Sequence, residues 1–197
     1  MLIVGDVHGK INEFYKILQK YPNEDIFQLG DFGFKKQHLW AKNNLKENQK
    51  IIFGNHDYYP MLNESYSVGN FKYFPTLNTF TIRGAQSIDK YIRTEGIDWF
   101  NNEELTYSEI NELFDSILEI KPKIILSHTC PEIVQETLFG YNSNNIKNKS
   151  RTTQMLQSLF ELYQPEYWIF GHHHKSVNIQ MNETKFICLT ELETLNL

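Results

Sequence analysis

Six of the seven histidines in this chain stand just past the end of a short apolar run, in company with aspartates or an asparagine. Asp6 and His8 follow "LIV" (2–4), and Asp31 follows "IFQL" (26–29). Asn55, His56 and Asp57 follow "KIIF" (50–53), His128 follows "KIIL" (123–126), and His172, His173 and His174 follow "YWIF" (167–170). Only His38 lies elsewhere. Carboxylates and imidazoles together suit borderline divalent ions such as Mn, Fe or Zn, and the lack of a thiolate cluster argues against a structural zinc of the cysteine type. Asp6 and His8 are two residues apart, so one turn can aim both at a single ion, and His172 and His174 share that spacing and can reach two neighbouring ions. Seven ligands are too many for one tetrahedral ion and suit two, with a carboxylate bridging. Two ions roughly 3.5–4 Å apart clamp a phosphoryl group and generate a hydroxide nucleophile near neutral pH. A histidine left uncoordinated beside them would protonate the leaving oxygen.

Such a set needs five strand ends on one edge of a sheet, where the loops of open α/β folds line the ligand crevice. The rest of the chain supplies the rhythm. Ile11, Phe14, Tyr15 and Leu18 recur at helical spacing, which predicts a helix over 10–20. Further helices are expected near 37–48, after the Thr106…Glu109 capping box, and around 151–163. Strand, polar loop and helix in repetition read as a mostly parallel sheet with crossover connections. Three regions fall outside this rhythm. Residues 66–82 alternate as an antiparallel pair, 83–104 is a loop-rich insertion full of charges and aromatics, and 141–151 is polar enough for a mobile loop that could serve as a lid. Residues 177–189 read as a hairpin turning at Met181-Asn182-Glu183. Without repeat or linker, one domain over 1–197 is expected.

Composition narrows the function further. Net charge is −5, which speaks against a broadly basic surface and against duplex nucleic acid as a partner, though a short single strand or dinucleotide stays open. No stretch approaches the ~20 apolar residues of a membrane span. Cys130 and Cys188 lack a framework spacing, which fits a reducing compartment, and "MLIVGD" leaves no room for a signal peptide, so a cytoplasmic protein is expected. Oligomeric state is not legible.

Taken in order, "GDVHG" (5–9), "GDFG" (30–33), "GNHD" (54–57), "SH" (127–128) and "GHHH" (171–174) resemble the motifs of the calcineurin-like metallophosphoesterases. The resemblance implies an α/β fold, a four-layer α-β-β-α sandwich of two mixed sheets with a dinuclear metal centre at the carboxyl edge of the strands. Carried over position by position, Asp6, His8 and His174 would hold one ion, Asn55, His128 and His172 the other, and Asp31 would bridge them. His56 would be the general acid. Two divalent ions are implied, manganese foremost, with Fe, Zn, Ni or Co as alternatives. The expected function is hydrolysis of a phosphodiester or nucleotide-type ester by a metal-bridging hydroxide, on a small phosphate ester or nucleotide. The alternative is a silent or narrowly specific scaffold of the same fold that binds a protein partner, and the intact set of ligands and acid favours the hydrolase. Protein phosphatases of this superfamily read GDxxDRG and GNHE, whereas this chain has "GDFGFKK" and "GNHD". Phe34 therefore stands where that branch keeps the aspartate that orients its catalytic histidine, leaving Asp57 or the backbone to do so. The stretch "GAQSIDKYIRTEG" with "WFNNEE" is similar to small bacterial and phage phosphoesterases of the superfamily.

Each residue also has a plainer reading. Asp6 and His8 could cap the following helix, His128 could be a hydrogen-bonded core histidine, and Asn55 a turn residue. His173 is expected behind the ligands or in solvent, and Asp57 as a supporting partner rather than a ligand. Arg83, Lys90, Arg93 and Arg151 could contact phosphate, Arg93 foremost, or could be solvated surface. Tyr58 and Tyr59 could stack on a base or pack in the core, and Cys130 reads as buried and inert.

Overall fold

The computed structural model describes residues 1–141 and 150–197. Three short strands, β1 (Leu2–Val4), β2 (Ile26–Gln28) and β3 (Gln49–Ile51), run parallel, and β10 (Thr194–Asn196) returns antiparallel along β1 to give the order β10-β1-β2-β3. The second sheet has the order β4-β5-β6-β7-β9-β8, from β4 (Phe71–Phe74), β5 (Thr79–Ile82), β6 (Ile124–Ser127), β7 (Tyr167–Phe170), β8 (Val177–Met181) and β9 (Thr184–Cys188). Its four inner strands are parallel, and the antiparallel edges are the hairpin partners β4 and β8.

Alternation along the strands builds the layers, because successive side chains point to opposite faces. Ile3, Phe27 and Ile52 from the first sheet meet Leu126 and Ile169 from the second in a fully buried middle layer. Leu2, Val4, Ile26 and Ile51 face the other way, onto Phe14 and Leu18 of α1 (Ile11–Lys20) and Ala41 of α2 (Lys35–Asn44). Phe80, Ile125, Trp168 and Phe186 face Leu113 and Ile117 of α3 (Tyr107–Ile120), Val134 of α4 (Glu132–Phe139) and Leu156 and Leu159 of α5 (Arg151–Leu162). The strand–helix rhythm reads as one parallel sheet. The chain builds two stacked sheets with helices on both outer faces, the four-layer sandwich that the resemblance implies.

The helix expected near 37–48 is shifted to 35–44, while α1, α3 with its capping box, α5 and the hairpin at 177–188 match the sequence pattern closely. Of residues 66–82 only 71–82 form the antiparallel pair, and Ser67 instead bridges to Ile51 beside β3. The insertion 83–104 carries one 3-10 turn at Lys90–Ile92 and is otherwise irregular. Of the mobile loop expected at 141–151, residues 142–149 lie outside the described residues. Among the described residues no helix is long and apolar enough to cross a membrane.

Candidate metal centre

The carboxyl ends of β1, β2 and β3 and those of β6 and β7 open onto the same side of the sandwich, and the loops after them bring the predicted ligands together. Asp6, His8, Asp31 and His174 form one cluster, and Asp31, His128 and His172 a second, so Asp31 is shared. The distances are those of donors converging on a point. His8 Nε2 lies 2.9 Å from His174 Nε2, 3.6 Å from Asp6 Oδ2 and 3.8 Å from Asp31 Oδ2, and His174 Nε2 is 3.4 Å from Asp6 Oδ2. In the second cluster His128 Nε2 lies 3.2 Å from Asp31 Oδ1, 3.2 Å from His172 Nδ1 and 3.3 Å from Asn55 Oδ1. Donors about 2.0–2.2 Å from one ion are separated by roughly 3 Å across an octahedral edge and somewhat more across a tetrahedral one. Asp6, Asp31, Asn55 and His128 are the buried floor, while His8, His172 and His174 form a more open rim.

The backbone is bent to achieve this. His8, Asp31, His172 and His174 all adopt left-handed φ, of 46°, 54°, 67° and 52°. Such conformations cost L residues free energy and persist where the surroundings enforce them. Gly54 is required by close approach, since a Cβ there would run into Asp31 and His128.

Asp57 ties the floor. Its carboxylate accepts the backbone N–H groups of Asp31 (2.9 Å), Phe32 (2.8 Å), Gly33 (3.1 Å) and Gly54 (2.7 Å). His38 Nε2 adds a contact at 2.9 Å, and His38 Nδ1 in turn meets the Tyr66 hydroxyl at 2.9 Å. Asp57 thus locks the loops after β2 and β3 together, and the histidine outside the sequence set is the one that buttresses it. Asp31 Oδ1 accepts the backbone N–H of His56, and both oxygens of Asp6 accept that of His172. His128 Nδ1 donates to the Leu29 carbonyl at 2.7 Å, which leaves Nε2 aimed at Asp31 and Asn55.

Charge completes the picture. Burial opposes ionisation of Asp31, but His128 beside it holds the carboxyl well below the usual range. Burial alone would lower His128, yet the Asp31 carboxylate overrides it and pushes the imidazole up to about 9. Burial and the neighbouring His128 push His172 down to about 3. The donor set of carboxylates, imidazoles and one amide oxygen fits divalent ions.

A family model described as calcineurin-like phosphoesterase matches residues 1–176. The chain belongs to that family. No curated protein matches it in sequence. Among solved structures, a Staphylococcus aureus protein assigned as a 5'-nucleotidase, in complex with alpha-ketoglutarate, superposes with a TM-score of 0.54 and 14% identity over 96% of this chain. The chain spans 48% of that protein's length. GAP50, described as the anchor in the inner membrane complex of Plasmodium, superposes with a TM-score of 0.50 and 14% identity over 96% of this chain and 71% of its own. At such identities these two share the fold alone.

The other polar residues of this calcineurin-like chain divide sharply. Arg93, held by Asp89 Oδ2 at 2.7 Å and the Asp98 carbonyl at 3.1 Å, places Nη2 2.7 Å from His56 Nε2. Arg93, not Asp57, is therefore the side chain that meets His56. Burial lowers the His56 pKa, Asp31 pulls it up, and Arg93 pushes it down again. Arg83 is buried and committed to Asn70 Oδ1, the Asn102 and Glu103 carbonyls and the ring of Tyr59, so it is neither a phosphate ligand nor solvated. Arg151 lies over Tyr107 and Lys90 over Tyr91. Tyr59 is core and Tyr58 packs on Phe100. His173 stacks on Phe139 with ring centroids 4.2 Å apart, turned off the ligand clusters. Cys130 is fully buried, and its thiol is pushed well up by that burial. A cavity of about 840 Å³ opens beside the rim, bounded by Asn55, His56, His172 and His174 on one side and by Gln86, Asp89, Gln135 and Gln154 on the other. Ser87 and Glu103, which stand behind Asn55, carry no signal in the sequence.

Proposed function

We propose that the chain is a two-metal phosphoesterase that cleaves a phosphodiester or a nucleotide-type ester, with manganese as its ion. The observation that carries this reading is the pair of converging ligand clusters with Asp31 in common, opening onto a cavity beside His56 and Arg93. Asp6, His8 and His174 would hold one ion and Asn55, His128 and His172 the other, with Asp31 between. When bound, such ions supply a hydroxide near neutral pH and neutralise charge on the phosphoryl oxygens.

The chain's own residues do the rest. Arg93, anchored by Asp89 and the Asp98 carbonyl, would turn Nη2 from His56 onto an entering phosphate oxygen, trading that contact for a stronger charge-assisted one. His56, released and drawn up by the incoming negative charge, carries the proton that the leaving alkoxide takes. The cavity leaves room for a sizeable alcohol as leaving group, which suits a diester or a nucleotide better than inorganic chemistry at a bare site. Phe34, in place of the protein phosphatase aspartate, and the insertion 83–104 point away from phosphoprotein substrates. The scaffold reading has the fold in its favour, since the Plasmodium anchor shares it, but gives no account of seven converged ligands. Two free, buried cysteines fit the reducing cytoplasm as its location.

The test is hydrolysis of bis-p-nitrophenyl phosphate and p-nitrophenyl phosphate by metal-stripped protein, with and without added manganese. Metal-restored cleavage, faster on the diester, is expected. His56→Ala should retain metal yet lose about 10²–10⁴-fold in turnover, whereas Asp31→Ala should lose both. Two bound ions with no cleavage of either ester, or of a nucleotide, would sink the hydrolase reading.

A further inference from the structure

Among the seven candidate ligands, Asn55 is the one carboxamide, and turning it round changes which atom faces the ion without changing its shape. Its Oδ1 can ligate a cation and its Nδ2 cannot, so the second cluster is complete only in one of two nearly isosteric orientations. A chain of hydrogen bonds from the insertion selects that orientation. Asn55 Nδ2 donates to Ser87 Oγ at 3.3 Å, and Ser87 Oγ donates to Glu103 Oε2 at 2.7 Å. Ser87 N–H donates to the other carboxylate oxygen, Oε1, also at 2.7 Å. A carboxylate only accepts, so the Ser87 proton is committed to Glu103 and the serine oxygen turns a lone pair toward Asn55. Were the amide reversed, two acceptor oxygens would face each other inside the protein.

Glu103 is 4% exposed, and a buried carboxylate is costly unless its oxygens are satisfied. The fold holds it in place with care. Its carbonyl accepts Tyr59 Oη at 2.9 Å and Arg83 Nη1 at 3.3 Å, and Gly84 lies so close that a Cβ there would stand 2.6 Å from that carbonyl oxygen. Tyr59 belongs to the turn that follows the Asn55 loop, so both ends of the insertion are tied to the ligand they serve.

We propose that Glu103 and Ser87 are positioning residues that fix the Asn55 amide with its oxygen toward the ion of His128 and His172; this rests on the two-metal reading above. The experiment is calorimetric titration of the metal-stripped full chain with Mn²⁺. The wild type should take two ions. Ser87→Ala and Glu103→Gln should each weaken one of them by about 10–100-fold, the usual cost of losing a partner behind a ligand, and leave the other within about twofold. Ser87→Thr, which keeps the hydroxyl and the N–H, should restore the second ion. Asn55→Ala should lose that same ion, and adding Ser87→Ala to it should change nothing more. A merely structural Ser87 would weaken both ions or add its loss to that of Asn55→Ala, and either result overturns the relay. So does unaltered binding by Ser87→Ala. If Glu103→Gln fails to fold, the alanine and threonine variants of Ser87 decide alone. A wild type that takes no second ion would instead overturn the two-metal reading, and the relay with it.

Discussion

His56 is the residue on which turnover should depend most visibly, and its neighbour determines how. Burial lowers its pKa first, Asp31 raises it, and Arg93 lowers it again. As the proposed general acid, His56 works only while protonated, so kcat/KM should fall as pH rises through its pKa. Removing the guanidinium lifts that pKa. Arg93→Ala should therefore move the alkaline limb of the pH–rate profile to higher pH, while kcat/KM at its optimum drops about 10–100-fold through the lost charged contact with phosphate. A limb that stays put or moves to lower pH would separate Arg93 from His56. At this scale the sequence is unevenly legible. His and Asp announce themselves at strand ends because few other residue types do their chemistry. Arg93 shows only as one charge among many in 83–104. Ser87 and Glu103 are silent, because their partners lie 32 and 16 residues away and no local pattern links them.

At the scale of elements, the loops after β2 and β3 hold Asp31 and Asn55, and both hang from Asp57. Its carboxylate takes four backbone N–H groups and His38 of α2, none of them open to solvent water. Asp57→Ala strands all of these, and a buried donor left unsatisfied costs about 1–3 kcal/mol. The variant should lose at least ~3 kcal/mol of stability in urea denaturation of the metal-free protein, whereas His56→Ala, on the open side of the loop, should lose less than ~1 kcal/mol. A small loss for Asp57→Ala would mean the knot is not what sets the loops. Elements with strong local signals were readable: α1 from its apolar spacing, α3 from its capping box, the 177–188 hairpin from its alternation. α4 follows Pro131 with no side-chain cap and buries only Val134 fully, and β10 is three residues with an exposed-to-intermediate pattern. Such elements exist because of what they pack against, which the sequence does not print. The split into two sheets is illegible for the same reason. Strands buried on both faces read as unbroken apolar runs whichever sheet they join.

For the whole molecule, the candidate ligands come from both sheets. Asp6, His8, Asp31 and Asn55 follow strands of the first, and His128, His172 and His174 follow strands of the second. An ion bound by either cluster therefore staples one sheet to the other across the layer of Ile3, Phe27, Ile52, Leu126 and Ile169. We propose that residues 1–197 are a single domain, which predicts one calorimetric unfolding transition for the metal-free protein rather than two. Manganese should raise that transition as a unit. Binding to the folded state alone at 100 times Kd adds about 2.7 kcal/mol, which for a chain of this size moves Tm by roughly 5–10 °C. The gain should depend on pH with a definite sign. His128 is held protonated up to about 9 by Asp31, so an ion entering between them must displace that proton. Each proton displaced makes binding about tenfold weaker per pH unit of acidification. The manganese-induced rise in Tm should thus shrink from pH 8 to pH 6, and titrations in buffers of different ionisation enthalpy should register a released proton. Two separate transitions, only one of them responsive to manganese, would show that the sheets fold apart and that the ligands do not bridge them. A rise independent of pH would place the ion away from His128.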